Sequence, residues 1–296
     1  MFKEVMLSLN ITKEKIKIVI AMLIWGTIGI FVREIDLGSV DIAFFRALIG
    51  SIFLFFLGIF KHEKLAGAEF KKNLPILMLS GAIIGVNWVL LFQAYKYTTI
   101  SNATLSYYLA PVFIVILSSF ILKEKLSTKK ITYIFIALIG LFLILQTGEK
   151  SAISSYNHVK GILFGLSGAV LYAIVVMLNK HIKCLPTFTV TLLQLFVAAI
   201  ILLPFVISEN TFDLKSVDMK SWIIMLLVGI IHTGVAYLLY FSAIKEVKGQ
   251  SIAILSYIDP IFAVLISFVF LDEPMGVLQI LGGLLILGSA YLSEGK

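Results

Sequence analysis

LLFQAYKYTTISNATLSYYLAPVFIVILSSFILKEKLSTKKI, from Leu90 to Ile131, recurs in this chain. Its second copy, LYFSAIKEVKGQSIAILSYIDPIFAVLISFVFLDEPMGVLQI, runs from Leu239 to Ile280 at a constant offset of 149 residues, without a gap. Tyr108 falls on Tyr257, Pro111 on Pro260, Phe113 on Phe262, Ser118 on Ser267 and Glu124 on Glu273. An apolar composition gives some identities by chance, but a proline and a glutamate kept at one spacing are harder to obtain that way. The copies also differ: the first ends in KEKLSTKK, with four lysines, and the second in DEPMG, with none. Lysine-rich loops stay in the cytoplasm, so the two copies are expected to lie in a membrane in opposite senses. That is the mark of an inverted-repeat transporter.

The remaining composition agrees with a membrane setting. Hydrophobic residues make up 60% of the chain, charged ones 14%, and the mean hydropathy is +1.04. Those values exclude an ordinary soluble domain. Met275 to Leu292 is 18 residues without a charge, about the length that spans a hydrocarbon core. The net charge of +7 comes from loop lysines and calls for no nucleic acid. A single cysteine, Cys184, excludes an intramolecular disulfide, matches no metal-ligand spacing and reads as packing. The N-terminal MFKEVMLSLNITKEKIK reads as a cytoplasmic tail, since no small-residue cleavage site follows the first apolar run.

Ten apolar segments are predicted: Ile18–Val32, Ile42–Phe60, Leu74–Tyr95, Asn102–Leu122, Ile131–Gln146, Gly161–Asn179, Phe188–Ile207, Trp222–Ile244, Ser251–Leu271 and Met275–Leu292. The first is short enough that Lys17 and Arg33 would have to snorkel, or the bilayer thin. With the N-terminus inside, 17 of the 24 Lys and Arg fall on the inside, six on the outside, and only Arg46 within a span. That split favours both termini in the cytoplasm. Five spans per half is an odd number, so the halves must be inverted. The expected fold is therefore all-α and integral to the membrane, ten helices in two inverted five-helix repeats. The expected organisation is 1–146 for the first repeat, 147–160 for a linker and 161–293 for the second.

Trp25-Gly26, Phe45-Arg46 and the run Pro111 to Glu124 resemble the EamA type of the drug/metabolite transporter superfamily. The second-half echo of Pro260, Asp272-Glu273, Gln279 and Gly282-Gly283 completes the likeness over roughly residues 15–293. The resemblance implies a ten-helix secondary carrier, commonly an exporter of amino acids or related metabolites. It also implies a central pathway lined by the first, third, fourth, sixth, eighth and ninth helices. The chain departs from the family pattern at Tyr172-Ala173, in place of Trp-Gly, and at Gln194, in place of Arg.

A carboxylate at the bilayer centre costs about 2.5–3.5 kcal/mol on insertion scales. Asp259 stands at that depth, eleven residues past Lys248, and its repeat partner is Ala110. It reads either as a proton site or anchor for a substrate amine, or as a tie between helices. His232 is equally deep, pairs with Ile83 in the repeat, and reads as a proton carrier or as a neutral helix-to-helix link. A relay between the two requires that they share a cavity. Arg46, five residues after Asp41, either attracts a substrate carboxylate or snorkels outward and pairs with Asp41 or Asp36. Glu124 and Glu273 stand at span ends, where a structural role suffices. Trp25, Asn87, Trp88, Tyr107, Tyr108, Tyr172, Tyr237 and Tyr257 lie too deep for an interfacial belt, and as a set they point to a cavity. Pro111 and Pro260, which lack an amide hydrogen, and Gly85 and Gly234 are the candidate flex points.

No G-x-x-x-x-G-K-[ST] occurs and no loop is large enough for an ATPase domain, so no cofactor or nucleotide is expected. The expected partners are lipid, a small-molecule substrate and, if transport is coupled, protons. One chain suffices for a pathway. A drug-like organic cation held by Asp259 and the aromatic residues is the rival substrate. An intramembrane enzyme would need clustered acids or a nucleophile–base set, and a scaffold would have no reason to keep deep polar groups.

Overall fold

In the computed structural model the described residues are 12–60, 68–121, 128–147, 156–208, 217–244, 247, 255–273 and 275–294. All secondary structure among them is helical. The helices are α1 (Lys13–Gly26), α2 (Ile28–Arg33), α3 (Ser39–Phe60), α4 (Ala68–Tyr97), α5 (Ile100–Tyr107), α6 (Ala110–Ile121) and α7 (Thr128–Thr147). The second half continues with α8 (His158–Asn179), α9 (Thr187–Ser208), α10 (Met219–Leu227), a π-helical segment Val228–Val235, α11 (Ala236–Ile244), α12 (Ile258–Phe270) and α13 (Val277–Glu294). Seven helical stretches among the described residues are long and apolar enough to cross a membrane. Ile131–Ile144, Ile258–Phe270 and Val277–Ser289 are shorter apolar helices.

Four sequence expectations need correction. The first span is not 15 residues long. Helix runs from Lys13 to Arg33 with one break at Thr27, about 31 Å in all, because lysines at a helix end do not stop it. Thr12 caps its start by accepting from the Lys15 amide. The fourth span is not one helix. It breaks at Tyr108 and Leu109, where Pro111 cannot donate to the Tyr107 carbonyl and sits instead in the first turn of α6. The ninth breaks in the same way at Tyr257, before α12 with Pro260 in its first turn. Cys184 is not packed in the core. It is exposed, with φ 59° in the turn between α8 and α9.

The packing exchanges the halves. At an offset of 149 residues, Thr128 at the start of α7 corresponds to Val277 at the start of α13, and these two helices pack on each other. A Cβ on Gly140 would meet the Gly282 carbonyl at 2.6 Å, and one on Gly282 the Gly140 carbonyl at 2.5 Å. Glycine at both points lets the backbones touch. α3 packs on its counterpart α9. Further contacts come in swapped pairs: α4 with α8 and α11 with α1, α6 with α8 and α12 with α1, α9 with α4 and the π segment with α3.

Polar contacts link the halves at each end of the bundle. At the lysine-rich end, Asn73 and the Lys183 backbone exchange hydrogen bonds of 3.0 and 3.2 Å. At the far end Ser221 Oγ accepts from the Asp36 amide at 3.0 Å, and Lys220 pairs with Glu34.

Candidate functional site

Between the halves lies a cavity of about 480 Å³, within the range of sites for small organic ligands. Residues of α1, α2, α4, the α5–α6 pair, α8, α11 and α12 line it, joined by side chains of α3 and α9. The lining starts near Tyr95 and Thr104 and runs past mid-span to Asn179, the exposed last residue of α8. Lys180 and Lys183 follow directly, so the cavity opens toward the lysine-rich end.

Trp25, Trp88 and the tyrosines 107, 108, 172, 237 and 257 all stand in this wall, as do Asn87, Pro111, Arg46 and Asp259. Asn87 is held from behind, its Nδ2 donating to the Gly168 carbonyl at 2.6 Å. Its Oδ1 accepts from the Tyr107 hydroxyl at 3.3 Å. Tyr107 packs against Tyr108 and Tyr172, at ring centroids 6.3 and 5.9 Å apart. Tyr172 is 43% exposed, on the open side. Asp259, half-buried in the first turn of α12, accepts from the Tyr108 hydroxyl at 2.6 Å. A carboxylate there also meets the positive end of the helix dipole. The hydroxyl and the acid come from the two repeats, each beside its proline break.

Arg46 neither snorkels nor reaches a carboxylate. It is 5% exposed; its Nε donates to Thr233 Oγ1 at 2.9 Å, and its guanidinium lies 4.0 Å from the centre of the Trp88 ring. Among the described residues, no carboxylate stands within ion-pair distance of it.

His232 is absent from the cavity wall. It lies in the π segment, 2% exposed, with Nε2 2.9 Å from the Thr27 hydroxyl and its ring edge-on to Phe31. Its carbonyl accepts from Trp25 Nε1 at 2.8 Å. The π segment thus braces the break in the first span and, through Thr233, aims Arg46. The relay between His232 and Asp259 is not assembled: Asp259 faces the cavity with Tyr108, and His232 faces Thr27 behind Trp25. Gly85 and Gly234 also lie outside the wall. A Cβ on Gly85 would touch Leu202 and Ala198 of α9, and one on Gly234 would overlap Phe53 of α3. They are close-contact points between the halves, in swapped positions. Pro260 is buried in α12 and does not line the cavity. Glu124 lies outside the described residues.

The end away from the opening is sealed by residues that the sequence reading did not group. Arg33 pairs with Glu273, which is 2% exposed. Its Nε donates to the Tyr95 carbonyl at 3.1 Å and its Nη2 to the Thr98 carbonyl at 2.5 Å. Glu273 also accepts from the Ile100 amide at 3.0 Å, which ties α2, α12 and the α4–α5 turn together. Beside it, Gln279 donates to Asn102 at 2.8 Å, and Thr98 Oγ1 lies 2.7 Å from His158 Nδ1. Arg33 and Glu273 are 240 residues apart, and no local pattern marks them as a pair.

Helices long and apolar enough for a bilayer, packed as two exchanged halves around a largely aromatic cavity that holds an arginine and an aspartate, define a multi-pass membrane protein of the transporter kind. The profile of the EamA-like transporter family matches residues 13–146 and again 159–294. The chain is 32% identical over 279 residues to the uncharacterized transporter YxxF of Bacillus subtilis (strain 168), covering 91% of this chain and 87% of that one. It is 25% identical over 268 residues to mouse solute carrier family 35 member G1, covering 86% and 71%. A solved crystal structure at 20% identity superimposes with a TM-score of 0.65 over 96% of this chain and 99% of its own, a likeness of fold. The chain belongs to the EamA-like transporter family.

Proposed function

We propose that this protein is a secondary carrier that exports amino acids or related small metabolites across the cytoplasmic membrane by alternating access. All ten apolar segments cross the bilayer, the halves are inverted, and both termini are cytoplasmic. The observation that carries this reading is the cavity: it lies between the repeats, opens toward the lysine-rich end and is sealed at the other by Arg33 and Glu273. Those are the features of a carrier open to the cytoplasm. Transport then requires the seal to part and the opposite end to close, with the breaks at Tyr108 and Tyr257 as the points where helices can pivot. Asp259 is the group placed to exchange a proton or hold an amine. The aromatic wall with Asp259 also fits an organic cation, which is the second reading.

The test is efflux from proteoliposomes loaded with amino acids and amines and an internal pH dye, for the wild type and Asp259→Asn. Solute efflux with proton counterflow, lost in the variant, supports a proton-coupled exporter. Efflux without proton movement that the variant retains makes the protein a facilitator and Asp259 a helix tie. No efflux of any solute sinks the carrier reading.

A further inference from the structure

Resting on that carrier reading, we infer that the cavity is built for a substrate bearing a carboxylate, and that Arg46 is its anchor. A guanidinium stays charged under all conditions of interest and presents N–H donors in a rigid fork. In this chain it is nineteen-twentieths buried and makes no ion-pair contact with a described carboxylate, the nearest acid influence being that of Asp259 across the cavity. Thr233 engages Nε from one side and Trp88 covers one face, which fixes the plane of the group and leaves the Nη edge to the cavity. Burial of a lone cation is costly unless a counter-charge arrives. A planar carboxylate matches that edge bidentately.

A purely structural arginine would show a different arrangement. The chain's other arginine, Arg33, displays it: a glutamate, two backbone carbonyls and a ring surround it. Arg46 has a hydroxyl and aromatic faces instead, and it lines the open space. Trp25, Tyr95, Tyr107 and Tyr237 complete the wall, so the rest of the substrate meets apolar and aromatic surface. The amino group of a zwitterion would go to Asp259, the acid of the same cavity. A cation without a carboxylate can still meet Asp259, but it leaves the Arg46 fork unfilled and adds a like charge to the cavity that Arg46 lines.

The test uses four compounds that share a phenylethyl unit: phenylalanine, its amide, 3-phenylpropionate and phenethylamine. Unfolding midpoints of the full-length protein in lipid nanodiscs are titrated with each. We expect phenylalanine and 3-phenylpropionate to raise the midpoint at concentrations at least tenfold lower than the amide and the amine require. In Arg46→Gln that gap closes while unfolding stays cooperative. If Arg46→Gln does not fold, Arg46→Lys keeps the charge without the fork, and the gap should narrow severalfold. Equal or better stabilisation by phenethylamine, no shift from either carboxylate, or an undiminished gap in the folded variant overturns the inference. The same compounds loaded into proteoliposomes separate the two ideas. Binding of the carboxylates without efflux of any compound keeps the anchor and sinks the carrier. Efflux of phenethylamine alone keeps the carrier and sinks the anchor.

Discussion

Replacing Glu273 by glutamine tests whether the sealed end is a gate. The carboxylate is buried and meets Arg33 and the Ile100 amide. Glutamine keeps the shape and an acceptor for the amide but leaves Arg33 without a counter-charge. Removing one partner of a buried ion pair costs about 3–5 kcal/mol. Arg33 retains the Tyr95 and Thr98 carbonyls and the Tyr156 ring, so the lower end, about 3 kcal/mol, is the appropriate figure. On the alternating-access reading the seal holds only in the state open at the lysine-rich end, and the cost falls on that state alone. At about 1.4 kcal/mol per factor of ten, the balance shifts toward the other state by about 100-fold. Cys184 is replaced by serine and a reporter cysteine placed at Ile28, a buried residue of the cavity wall. A membrane-impermeant maleimide is then applied to the sealed side. We expect labelling to accelerate by up to about 100-fold in Glu273→Gln, with little further gain from adding Arg33→Gln. Equal labelling rates in parent and variant would refute the gate.

Three further outcomes follow from the packing. Gly234→Ala places a methyl 2.3 Å from Phe53; the overpacking should cost about 1–3 kcal/mol, lower the unfolding midpoint and be largely relieved by Phe53→Leu. Trp25→Phe keeps an aromatic side chain but loses the bulk of the indole and its donor to the His232 carbonyl; a loss of about 1 kcal/mol should appear as a severalfold rise in the transport KM. Asp259→Asn, and more weakly Tyr108→Phe, should erase the preference for phenylalanine over 3-phenylpropionate in transport competition, since both compounds keep the carboxylate and only one has an amine.

Position along each span was legible from sequence because it is linear along a helix. Distance from the nearest lysines placed Trp25, Tyr107, Tyr237 and Asp259 far from either surface, and all four stand in the cavity wall. The duplicated prolines Pro111 and Pro260 marked points of flexure, but each span was read as a single helix, and the breaks at Tyr108 and Tyr257 were not predicted. Rotation about the helix axis was not legible. A span that meets lipid on one side and packed helices on the other is apolar on both, so no period shows which way His232 faces. The π segment hid it further, since extra residues per turn shift every later side chain around the axis. Arg46 was ambiguous for a related reason. Asp41 and Asp36 are near in sequence, whereas the hydroxyl that holds it comes from Thr233, 187 residues on. The Arg33–Glu273 seal joins span ends where charges are cheap, and nothing in their own neighbourhoods singles them out.

The most direct test of a solute path through this cavity is counterflow with the cavity filled. Thr191 lines the open half of the wall and is buried, and Thr191→Trp puts an indole into that space. Proteoliposomes preloaded with amino acids are given isotope-labelled amino acids outside, and uptake is read by mass spectrometry. We expect saturable uptake by the wild type above protein-free vesicles, and uptake near the protein-free level for a folded Thr191→Trp. A wild type no better than empty vesicles, or a filled cavity that transports at the wild-type rate, would contradict it.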